Sequence, residues 1–281
     1  QVWPGPSGIH FIRQTDSLAF LVHYREYGAD LLKPGVLDLR NAPDQGAAAS
    51  EFPLFYWTLA LLEHLFGPMP DSIRWLNLGL IVLAVVWCIR VMTRLLDERL
   101  PAYATVLIFV GSPVLAYYAF NFLPDAGVFA LVMMGWSLVM PDIVANRPKF
   151  RVLPLLLFTL AGAIKAPAAM HLLAWSVLLF FQWIRTRELL SAGRTFALLL
   201  GILIVTTWHL YVRAYDAAHD TSYFLTWSEP LWDMSPVERL DTWRLMTEYW
   251  WTKYLHPSAW HLFGMFLIIL AIRWRHMNRF E

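Results

Sequence analysis

One carboxylate, Asp125, interrupts the apolar stretch FNFLPDAGVFAL (120–131), and no other side chain between Pro101 and Met140 is charged. An ionised carboxylate is costly in such surroundings. Asp125 therefore either reaches water or answers something that needs it. Six more polar side chains, His10, Arg13, Gln14, Asp16, Glu51 and Lys165, stand close to long apolar blocks. Each has an ordinary use. Arg13 and Asp16 can form an i,i+3 surface pair, Asp125 can cap a helix over 126–141, and Lys165 can snorkel to an interface. As a group they join carboxylates to cations, and ionisable residues at membrane depth mark a functional site. A separate run, DAAHD (Asp216, His219, Asp220), has the i, i+3, i+4 spacing that can hold a divalent metal. His171, His209 and His261 are each alone among apolar residues and are read as helix contacts. No Walker loop, GxGxxG, HExxH or GxSxG is present, which argues against an ATP-driven pump, a nucleotide-cofactor enzyme and a zinc protease.

Composition says what must position these groups. Hydrophobic residues make up 58% and charged residues 15%, with 15 Trp and 18 Phe, where a soluble domain is nearer half apolar and a quarter charged. The expectation is an all-α polytopic membrane protein. A net charge of +1 gives no reason to expect a nucleic-acid partner. The single cysteine, Cys88, allows neither an internal disulfide nor a thiolate metal cluster.

About seven blocks read as spanning helices: roughly 75–92, 101–121, 124–141, 152–164, 166–183, 195–213 and 258–272. Residues 152–183 are divided at AIKAPAA, because one helix of that length overshoots a hydrocarbon core of ~30 Å at ~1.5 Å per residue. Four stretches (90–100, 142–151, 184–194 and 273–281) hold 12 of the 22 Lys and Arg but 5 of the 21 Asp and Glu. They alternate correctly for cytoplasmic loops. Residues 1–74 then form an outer loop, 75–213 the transmembrane bundle, 214–257 a second outer loop, and 258–281 the last span and a cytoplasmic tail. Two segments within the first loop, 11–28 and 52–67, read as interfacial helices. In the first, His10, Arg13, Gln14, Asp16 and Ser17 gather on one flank, opposite Phe11, Leu18 and Val22. The start at Gln1 without a signal peptide, and the stop just after a spanning block, lead us to expect part of a longer protein.

The segments IHFIRQTDSLAF, EFPLFYWTLALLEHLFG, NFLPDAGVFAL, LAGAIKAP and WHLYVRAYDAAHDTSYFLTW, in this order, resemble the bacterial C-type glycosyltransferases. The resemblance covers about residues 9 to 235 and points to the branch of protein mannosyltransferases and lipid A aminoarabinose transferases. It implies a catalytic carboxylate at Asp16 and a second essential acid at Asp125. It implies a phosphate-binding cation at Lys165, with His10, Arg13, Gln14 and Glu51 lining the substrate. Arg13 and Gln14 stand where family members carry an acidic pair, and Glu51-Phe52-Pro53 stands where several carry Lys-Pro-Pro.

The function that follows is transfer of a sugar from a polyprenyl-phosphate donor to an acceptor, on the outer face of a bacterial inner membrane. The leaving group is an ionised phosphate, so no strong general acid is needed. A base for the acceptor hydroxyl and cations for the phosphate suffice. No cofactor is required, and a divalent metal is compatible. The partners are the lipid-linked sugar and membrane lipids. The alternative is a non-catalytic membrane subunit of this fold, a scaffold among other membrane subunits, which the departures from the family pattern favour. A secondary transporter would place its ionisable groups at mid-membrane, whereas these gather at one face.

Overall fold

The computed structural model describes residues 5–8, 10–36, 46–96, 99–145, 149–186, 192–221 and 232–250, with positions 260, 261, 264, 265 and 268. The described residues are helical throughout, apart from loops and one isolated antiparallel bridge between Gly35 and Ala47. The helices are α1 (Phe11–Glu26), α2 (Leu54–Phe66), α3 (Ser72–Leu96), α4 (Arg99–Val110), α5 (Pro113–Ala119), α6 (Asp125–Val144), α7 (Val152–Ile164), α8 (Ala169–Thr186), α9 (Ala192–Ala218) and α10 (Pro236–Arg244). Four stretches are long and apolar enough to cross a membrane: α3, α6, α9 and the run Ala166–Thr186, which is a 3-10 turn continued by α8.

Three expected spans are not among these four: α7, over 152–164, is an apolar helix of only 13 residues, and two others read differently. The block 101–121 is not one helix but α4 and α5, of 12 and 7 residues. Between them lies Gly111-Ser112-Pro113, where the residue before proline is driven out of helical geometry. The last span, 258–272, falls almost wholly outside the described residues. The break expected at AIKAPAA is present. α7 ends at Ile164, and Lys165 is extended (φ −132°, ψ 113°) before the turn Ala166–Ala168.

The chain divides into two compact units, 1–103 with 118–227, and 104–117 with 228–281. In the second, α10 starts with a capping box in which the Ser235 side chain accepts from the Glu238 backbone N–H, and Glu238 accepts from the Ser235 N–H. The first unit holds the candidate site. Its bundle is centred on α6, which packs against α3 and α7, while α7 also packs against α8 and α9. α3 runs parallel to α6, since Asn77 meets Gly127 and Cys88 meets Ser137 further along. α7 returns antiparallel, its start joined to the end of α6 by Arg151 and Asp142 at 2.7 and 2.9 Å. Close approach depends on small residues, as is usual where helix packing has little hydrophobic drive. A Cβ at Gly135 would stand 2.5 Å from the Phe158 ring, and one at Gly127 would stand 2.5 Å from the Phe55 ring. The outer surfaces of α8 and α9 stay apolar, with Leu173, Val177, Phe181, Leu199, Leu203 and Leu210 exposed.

α1 and α2 pack on each other at the Asp125 end of the bundle through Phe20, Leu21, Tyr24, Tyr56, Leu59 and Ala60. The expected polar flank of α1 is divided: Gln14 and Ser17 are buried, Arg13 is exposed and His10 and Asp16 are half-buried, while on the opposite flank Phe11 is exposed and Leu18 and Val22 are half-buried. Burial is tolerated because both polar groups find partners. Gln14 donates to the Ser7 carbonyl at 2.6 Å, and Ser17 to the Arg13 carbonyl at 3.1 Å.

Candidate functional site

Asp125 is placed by a loop that another helix ties down. It is the first residue of α6, and Pro124 occupies the cap position without a side-chain cap bond. The helix therefore lacks a capping side chain of its own for its first orphan N–H groups. Asn77, fully buried on α3, serves instead. Its Oδ1 accepts from the Gly127 N–H at 3.1 Å, and its Nδ2 donates to the Leu123 carbonyl at 2.6 Å and the Asn121 carbonyl at 3.4 Å. Asp125 also stands at a helix N-terminus, where the peptide dipoles favour negative charge.

Lys165 follows the opposite helix end. α7 stops at Ile164, and a cation suits its C-terminal dipole. Two carbonyls of that last turn are met by other segments. The Phe52 N–H donates to the Ala163 oxygen at 3.2 Å, and His209 Nε2 lies 3.2 Å from the Gly162 oxygen. The first of these contacts docks the segment before α2 onto α7 and sets Glu51 against Lys165. The same segment is held upstream, where Asp216 Oδ1 on α9 accepts from the Ala49 N–H at 2.7 Å.

Four charges from four parts of the chain thus meet. Lys165 Nζ hydrogen-bonds to Glu51 Oε1 and lies 3.4 Å from Asp125 Oδ2. The Arg13 guanidinium, from the first turn of α1, lies 3.8 Å from Glu51 Oε1 and 3.8 Å from Asp125 Oδ2. Each cation faces the same oxygen of each acid, so the four alternate in sign around a ring of zero net charge. Arg13 reaches ion-pairing distance but not hydrogen-bonding distance. Asp125 Oδ2 is buried and, among the described residues, accepts no hydrogen bond, although two cations lie close to it. Lys165 and Glu51 are the more enclosed corners, with side chains 16% and 19% exposed, and Arg13 is the most open at 46%.

A second layer orients Glu51. Tyr56 donates to Glu51 Oε2 at 3.3 Å, and Ser17 Oγ lies 3.0 Å from the Tyr56 oxygen. Burial first, then the Glu51 charge, pushes the Tyr56 phenol well above its usual range, so it remains a neutral donor. His10, at the cap position of α1, stacks near Tyr118 with ring centres 5.6 Å apart. Its pKa is lowered, by burial first and by Arg13 second, with Asp125 opposing.

The structure therefore brings together Arg13, Glu51, Asp125 and Lys165, with His10 in their field. Gln14 is in the core between α1 and Ser7. Asp16 stands one turn beyond Arg13 and is half-buried, while the acids that join the ring are Glu51 and Asp125. Asn77, Tyr56 and Ser17 were not singled out from sequence, although a lone amide in the apolar run LNLGLIVL is the same kind of signal that marked Asp125. At DAAHD, Asp216 turns inward to Ala49 and His219 Nδ1 lies 2.8 Å from the Tyr215 carbonyl. Among the described residues no group of three potential ligands gathers as a metal site.

Chemically, the ring offers two cations able to hold an anion and two carboxylates able to take a proton. No family model, curated protein or solved structure matches the chain.

Proposed function

We propose that the ring is a reaction centre at the outer face of a bacterial inner membrane, in a bundle of about seven spans. There it moves a sugar from a polyprenyl phosphate to an acceptor hydroxyl, as bacterial C-type glycosyltransferases do. The observation that carries the reading is the convergence of Arg13, Glu51, Asp125 and Lys165 from four distant segments at one end of an apolar bundle. Lys165 and Arg13 hold the donor phosphate. The bond from the sugar carbon to phosphate oxygen breaks, and the phosphate leaves with the electron pair. The acceptor oxygen bonds to that carbon and its proton passes to a carboxylate. Asp125, 30% exposed, and Asp16 are the carboxylates to which this reading assigns the proton.

Purified protein should transfer sugar from a polyprenyl-phosphate donor. Asp125→Asn and Asp16→Asn should each lower the rate by about 10²–10⁴-fold, which is about 3–5 kcal/mol of barrier at ~1.36 kcal/mol per decade. Wild-type protein that transfers nothing across donors refutes the reading.

The ring also supports a second reading, because every charge in it already faces an opposite one. A self-neutralised ring suits a structural clasp in a non-catalytic scaffold subunit. On that reading Asp125→Asn lowers thermal stability and leaves a co-purifying membrane partner unable to bind.

A further inference from the structure

Glu51 occupies an unusual place in the ring. One of its oxygens, Oε1, takes the Lys165 ammonium and faces Arg13 at 3.8 Å. A single oxygen shared by two cations from different segments is what one oxygen of a bound phosphate would be. Neither Arg13 contact is a hydrogen bond, so its guanidinium has donors to spare for a closer anion. Glu51 itself is not in a helix. The backbone on either side is fixed, by Asp216 at Ala49 and by Ala163 at Phe52. Among the described residues, the carboxylate is held on its far side only by Tyr56, at 3.3 Å. Rotation of the side chain alone would free both cations without moving the segment. A phosphate carries at least the charge of a carboxylate and offers more oxygens, so it can pair with both cations at such a seat.

We infer that Arg13 and Lys165 form a seat for a phosphate group, and that Glu51 fills this seat at rest and sets its affinity by competing with the incoming anion. The inference rests on the proposed function and adds to it a residue that selects for charge. A neutral headgroup does not displace Glu51, and a phosphate monoester or diester at the end of a lipid does. Asp125 remains against the two cations when the seat is filled and leaves one net positive charge for the phosphate.

The test is binding, which needs no turnover. Full-length protein in nanodiscs is titrated with a polyprenyl monophosphate and, separately, with inorganic phosphate, while thermal stability is followed. Glu51→Gln keeps an acceptor for Tyr56 and removes the competing charge. It should bind the lipid phosphate about tenfold more tightly than wild type, as loss of a partly enclosed opposite charge beside two cations predicts. Adding Arg13→Gln or Lys165→Gln to Glu51→Gln should abolish the gain. Arg13 is the exposed corner and keeps the test readable if the Lys165 variant does not fold. A gain with the lipid alone, or with both probes, supports the seat as a lipid-phosphate site. A gain with inorganic phosphate alone supports the seat and refutes the lipid source. Equal or weaker binding by Glu51→Gln overturns the competitor role, and a gain that survives Arg13→Gln places the seat elsewhere. Absence of sugar transfer by wild type would remove the proposed reaction and leave each of these binding outcomes interpretable.

Discussion

Asn77→Ala should destabilise the folded chain by about 2–4 kcal/mol. The amide makes two good hydrogen bonds to the loop that carries Asp125, 2.6 Å to the Leu123 carbonyl and 3.1 Å from the Gly127 N–H, and a third near the distance limit at 3.4 Å. Losing the acceptor uncaps α6, where Pro124 has no replacement to offer; a missing cap costs about 1 kcal/mol. Losing the donor leaves a buried carbonyl unpaired, about 1–3 kcal/mol. The third contact is too long to add much. Asn77→Asp separates these terms from simple loss of volume. It has the same size and still accepts from Gly127, but it points an oxygen at the Leu123 carbonyl. Both variants should unfold at lower SDS fraction in mixed micelles, read by tryptophan fluorescence and extrapolated to a common condition. Destabilisation of Asp as well as Ala identifies the hydrogen bonds as the cause. If both variants lie within about 0.5 kcal/mol of wild type, as ordinary surface changes do, Asn77 does not hold the loop.

Gly135→Ala should cost about 1–3 kcal/mol by overpacking, since the Phe158 ring it would strike is fully buried against Trp136 and Trp175. Gly79→Ala, where a Cβ meets nothing within 4 Å, should be neutral or stabilising in the same unfolding assay, because alanine favours a helix over glycine. The lowered pKa of His10 means that the folded chain binds fewer protons than the unfolded one just below pH 6.5. Stability should therefore fall on acidification from that point down through the folded pKa, and His10→Gln should flatten the slope of melting temperature against pH, a flattening absent if His10 titrates normally. In a background lacking Cys88, a cysteine at position 220 should label from outside the cell and one at 149 should not; labelling at 149 overturns the assigned orientation.

Several decisive features were legible in the residues, each because a local rule left little choice. A helix through 152–183 would have been too long for a bilayer, so it had to break, and it breaks at Lys165. A lone carboxylate after proline had to sit at a chain reversal, and Asp125 begins α6 there. The division of 101–121 was also written locally, in Gly-Ser-Pro, but apolar content across the block concealed it. The orientation of α1 was not legible. Its polar residues gather on one flank, yet Gln14 and Ser17 turn inward to partners in Ser7, Arg13 and Tyr56, while Arg13 on the same flank and Phe11 on the other are exposed. Beside a membrane, exposure no longer selects polar groups, so amphipathic pattern loses its sign. The pairing of Glu51 with Lys165 depends on one backbone hydrogen bond across 111 positions, from Phe52 to Ala163, and no local pattern encodes that.

The ring also keeps time. Its corners leave the ribosome in the order Arg13, Glu51, Asp125, Lys165, and the last cation is the one with the shortest contacts to both acids. Until α7 is complete, two acids share one arginine and the nascent ring carries a surplus negative charge. Lys165 cancels that surplus as soon as it arrives, pinning the segment before α2 to the end of α7 across everything synthesised between them. Closure of the ring thus waits for Lys165, and the other tie on the same segment, from Asp216 to Ala49, waits longer still, so chains arrested before α9 should remain open to protease between Gly46 and Pro53 while completed chains resist.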